Sequence, residues 1–130
     1  MASSSYYYTL MLDYSRSKRG LENKIESYKS YIKKLMNSSQ NLTFVHNHLV
    51  NTEKTLLDGG YLNQGKTFDN GLLKNNYDKI ETIVSDLKYI ISKSEIKIQE
   101  FEKDIKHFEA LYNEAQKNYN IAKSMEENNV

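Results

Sequence analysis

From Leu73 to Ala122 the chain repeats a four-three spacing almost without interruption: Leu73, Tyr77, Ile80, Val84, Leu87, Ile91, Ser94, Ile98, Phe101, Ile105, Phe108, Tyr112, Ala115, Tyr119, Ala122. Only Ser94 is neither apolar nor aromatic. A strand would alternate at period two, whereas a seven-residue repeat kept this long is the seam of a coiled coil or helical bundle. The first half carries a looser version. Tyr7, Tyr14, Leu21, Tyr28, Leu35, Leu42, Leu49 and Leu56 recur at seven, and a companion row reads Met11, Lys18, Ile25, Ile32, Ser39, His46, Glu53. That companion row turns polar after Ile32. Met36, Val50 and Leu57 sit beside the good row, so the expectation is a stripe that drifts around the helix.

Glycine divides the two periodic segments. Of 5 glycines, all but Gly20 fall between Gly59 and Gly71, and there is no proline. Glycine serves where a helix stops or φ turns positive, so this bunching predicts two long helices and one turn. Leu56-Leu57-Asp58-Gly59-Gly60 reads as a helix end, and Asp69 in TFDNGLL as the N-cap of the next helix. The fold expected is all-α: a long antiparallel two-helix hairpin, coiled-coil-like, in one domain. Helix one covers about 6–57, the turn about 58–70 and helix two about 71–126, each helix about 75 Å long at 1.5 Å per residue. Gly20 leaves two starts open for helix one, near Ser5 or after Gly20. Ile83, Ile90, Leu111 and Met125 lie on the flank of the second seam, and Tyr6, Tyr7 and Tyr8 add apolar area at one end. Two helices cannot cover stripes this wide, so further helices, from a partner or from a copy, are expected to complete a bundle.

Three motifs suggest chemistry and are read against it. Gly60 to Thr67, GYLNQGKT, matches the phosphate-loop letters, but it follows a polar helical pattern instead of a buried strand, and no strand-borne aspartate completes a magnesium site. It reads as the hairpin turn. His46 and His48 are two apart and point to different sides of a helix, so no metal site is expected. No carboxylate pair, serine or threonine has the partners that catalysis needs, so the chain is read as a non-enzyme without cofactor.

A formal net charge of +1 gives no field for nucleic acid or anionic lipid. No stretch resembles a membrane span or signal peptide, so no membrane insertion is expected and the site of synthesis and residence is read as the cytoplasm. Abundant lysine and asparagine suggest an AT-rich bacterial source. The 11 tyrosines exceed what the seam uses, and tyrosine favours interfaces. The candidate partner-binding residues are Tyr7, Met11, Tyr14, Ile83, Ile90 and Leu111.

The segment GKTFDNGLLKNNYDKIETIVSDLKYIISKSEIKIQEFEKDIKHFEALY, with its turn motif Gly65, Phe68, Asp69 and Gly71 followed by heptads, resembles the LXG-associated α-helical accessory proteins of type VII secretion, the YwqH-like relatives of the WXG helical hairpins. The resemblance covers about the second half of the chain. Asn63 stands where such proteins commonly carry tryptophan before the turn glycine. Tyr77 and Glu81 match the spacing of the group's export motif, but at the start of helix two and not after it. The resemblance implies a targeting partner that binds the helical LXG domain of a secreted toxin, with a second small helical accessory protein, and helps present it to the secretion system; whether the chain stays in the cytoplasm or is co-exported is left open. Self-association of the chain when alone is left open. A self-associating scaffold or spacer is the alternative.

Overall fold

A computed structural model describes residues 2–58 and 70–129. Two helices pack against each other as an all-α hairpin: α1, Ser4–Asp58, and α2, Asn70–Asn128, with no strand among the described residues. The phosphate-loop-like stretch and the turn residues Gly65, Phe68 and Asp69 lie outside the described residues, while the Gly71 backbone belongs to the first turn of α2. Packing divides the chain into two compact units, Met1–Lys29 with Glu95–Val130, and Ser30–Ser94.

Cap chemistry fixes where α1 begins. Ser3 Oγ accepts the Tyr6 N–H at 3.2 Å, and the Ser3 carbonyl accepts the Tyr7 N–H at 3.4 Å, which makes Ser3 the N-cap. The Glu126 carboxylate of α2 then accepts the Ser4 N–H at 2.9 Å and the Ser4 hydroxyl at 2.7 Å. A free helix-start donor and the positive end of the helix dipole are satisfied together. The helix therefore starts at Ser4 and passes through Gly20, where an added Cβ would meet nothing within 4 Å. Glycine there does not delay the helix, and the position has room for a larger side chain.

The first unit holds most of the apolar core. Among the described residues, Ile25, Ile98, Phe101, Ala115 and Ala122 are buried there, against Ile32 in the second unit. Antiparallel aromatic pairs run along it: Tyr8 with Tyr119 at 6.2 Å between centroids, Tyr14 with Phe108 at 6.3 Å, and Tyr28 edge-on to Phe101 at 5.6 Å. Offset and edge arrangements of this kind suit the ring quadrupoles. Lys24 and Lys97 both lie over the Phe101 ring, and Lys18 Nζ reaches Glu109 at 3.1 Å, so lysine stems close the edges of the seam.

The second unit is built differently. Leu35, Leu42, Leu49 and Leu56 of α1 and Leu73, Tyr77, Ile80, Val84, Leu87 and Ile91 of α2 are half-buried, but the companion row of α1 places Ser39, His46 and Glu53 in the same seam. Ser39 is only 8% exposed. The expected drift of the stripe does not occur: Met36, Val50 and Leu57 are exposed, and the seven-residue register continues straight through the polar residues. The partner helix explains this, because α2 keeps its own seam at fixed spacing and holds α1 in register against it. The buried Ser94 hydroxyl is satisfied locally, donating to the Ile90 carbonyl at 2.9 Å.

Candidate interaction surface

In the Ser30–Ser94 unit the polar seam residues His46 and Glu53 meet around Tyr77. The His46 ring meets Tyr77 edge-on at 5.6 Å, and its Nε2 is 3.8 Å from Glu81 Oε2. The Tyr77 hydroxyl is held above its ordinary pKa, first by burial, then by hydrogen bonding to the Glu53 carboxylate and by the charges of Glu53 and Asp78. Glu53 Oε2 is buried without a hydrogen-bond partner among the described residues. Such groups cost stability relative to leucine at the same positions, and polar seam residues commonly serve register and partner choice. The export-motif-like pair is thus engaged with α1: Tyr77 sits in the seam, and Glu81 lies on its edge beside His46.

No group of three or more His, Cys, Asp or Glu among the described residues could hold a metal ion. His46 is half-buried, His48 is exposed, and His107 lies in the other unit beside Phe108. No described helix is long and apolar enough to cross a membrane.

The outside of this same unit carries several exposed apolar side chains. Thr43, His46, Glu81, Val84 and Lys88 line a depression on one flank of the seam. Residues one position earlier on each helix, Val45 on α1 and Ile83 and Ile90 on α2, therefore fall on the opposite flank, because each step along a helix rotates by about 100°. Ile83 is 47% and Ile90 40% exposed, and Val45 is similarly open. Covering a fully exposed aliphatic side chain contributes about 1.5–3 kcal/mol, so each of these half-covered residues has roughly 1 kcal/mol left for a partner. Tyr31, Phe44 and Tyr89 extend the exposed apolar surface around both helices.

The other candidate residues lie elsewhere. Tyr7, Met11 and Tyr14 occupy the seam of the first unit, half-buried, with Tyr14 against Phe108. Leu111 is half-buried beside that seam. Phe44, at 75% the most exposed large apolar side chain described, belongs to neither seam row, so periodicity did not single it out. A different signal marks its surroundings: from Leu35 to Thr52 there is no Asp, Glu, Lys or Arg, in a chain that is 27% charged.

No protein family matches the chain, and no curated protein or solved structure is significantly similar to it.

Proposed function

We propose that this chain is a non-enzymatic interaction protein whose Ser30–Ser94 unit is completed by helices of a partner. One observation carries the reading: that unit keeps Ser39, His46 and Glu53 in its seam while exposing Phe44, Val45, Ile83 and Ile90. Its apolar surface is thus arranged for a third helix as much as for its own second one. The resemblance of the Gly65–Tyr112 segment supports the helical LXG domain of a type VII-secreted toxin as the partner, with this chain as a targeting factor. Burial of the exposed stripe supplies affinity, and the polar seam selects register.

Co-expression with an LXG-domain protein, followed by light-scattering mass, tests this. The expected result is a defined heteromeric complex that Ile83→Asp with Ile90→Asp abolishes while helicity by circular dichroism is kept. A stable homo-oligomer of unchanged mass in the presence of the LXG protein would favour a self-associating scaffold.

A further inference from the structure

We propose that the outward face of α1 between Leu35 and Thr52 is a docking site for one partner helix, uncharged along its facing side for about five turns and acidic at both ends. This rests on the reading of the chain as an interaction protein and assigns a face and a partner chemistry to it.

The face lacks charge. Exposed helix faces are ordinarily populated with charge, as the rest of this chain is, yet every exposed position between Leu35 and Thr52 is apolar, an amide, a hydroxyl or a histidine. Depletion of charge is a composition signal of an interface centre, and Phe44 and Met36 are of the residue types favoured there. Phe44 stands near the middle of the run, with Met36 and Val50 toward its ends, all exposed. The run spans about 27 Å at 1.5 Å per residue.

Lysines bound the face at both ends. Exposed Lys33 and Lys34 close the run on one side and exposed Lys54 closes it on the other; Glu53 is turned into the seam, and Asp58 lies one turn beyond Lys54. A second copy is the wrong occupant. Laid antiparallel, it would bring Lys33 and Lys34 toward Lys54 of its mate, and laid parallel it would set each lysine against itself. A partner carrying charge at its centre would bury that charge against amides and Phe44 with no counter-charge. A partner that is uncharged in the middle and acidic at both ends meets both requirements, and its acids fix the register.

The test uses the full chain and synthetic helical peptides of about 25 residues. One has an uncharged Leu/Phe/Asn face with glutamates at both ends, a second has lysines at both ends, and a third has glutamates at the centre. By fluorescence anisotropy the first is expected to bind at least about tenfold more tightly than the other two. Its binding is expected to fall by at least about tenfold in Phe44→Asp and to be unchanged in Ile121→Asp, an exposed site in the other unit. Equal binding of the first two peptides, binding indifferent to Phe44→Asp, or no binding up to about 100 µM overturns the proposal. Sedimentation of the chain alone is the second readout: a dimer that Phe44→Asp disperses assigns the face to a second copy and also overturns it. If Phe44→Asp still forms the complex with an LXG-domain protein, this face is wrong while the partner-binding reading stands.

Discussion

Replacing His46 by leucine should make the isolated hairpin more stable. His46 occupies a seam position where its side chain is 24% exposed, so a leucine there would be about three-quarters covered. Full burial of leucine contributes about 1.5–3 kcal/mol, so the share recovered is about 1–2 kcal/mol. Against this stand the edge contact with Tyr77 and the 3.8 Å approach to Glu81, whose side chain is 74% exposed. An exposed pair of that kind is worth about 0–1 kcal/mol. The net expectation is a gain of about 1 kcal/mol, read as a rise of about 4 °C in thermal midpoint by circular dichroism at neutral pH. A fall of about 4 °C or more would refute the reasoning, because it would make the His46, Tyr77 and Glu81 group a net stabiliser and not a concession to partner choice.

Other outcomes follow from the same contacts. Phe101→Ala removes a buried ring gripped by Tyr28 and two lysine stems, and should cost about 3–5 kcal/mol in denaturant unfolding, against a small change for Tyr89→Ala on the exposed surface. Glu126 has its pKa lowered, first by the Ser4 N–H and then by the Ser4 hydroxyl. A lowered folded-state pKa contributes stability above the unfolded value and loses it as pH falls through the folded one. Thermal midpoints should therefore drop on acidification below about pH 4.5 more in the native chain than in Glu126→Gln, with the variant the less stable of the two at pH 7. Gly20→Ala should stabilise by about 1 kcal/mol, since the position is helical and open, and a loss of stability would show that α1 needs a bend there.

The seam of α2 was legible because its repeat is long and nearly all apolar: the residues from Leu73 to Ala122 picked out by spacing are the ones turned away from solvent. In α1 the rows were also legible, but the meaning of their polar members was not. Ser39, His46 and Glu53 suggested a drifting stripe, since a periodicity argument follows apolar residues and lets polar ones fall outside. A partner helix of fixed register can hold polar residues in a seam, and only the packed pair reveals it. The division between core and interface was hidden for a related reason: Tyr7, Met11 and Tyr14 are the same residue types that build interfaces, and the facing aromatics, such as Phe108 against Tyr14, draw them into the first unit. Ile83 and Ile90 stood out because they flank the seam without joining it. Phe44 was hidden from periodicity altogether, and the absence of charge around it was the sequence signal that marked its face.

Amide hydrogen exchange on the full chain, alone and with a bound LXG-domain protein, tests the central claim most directly. The account predicts that amides of Ser30–Ser94 exchange faster than those of the unit built from residues 4–29 and 95–128, because a polar seam opens more readily than an apolar one, and that the partner slows the fast set selectively. Equal protection of both units in the free chain, or protection by the partner confined to the first unit, would contradict it.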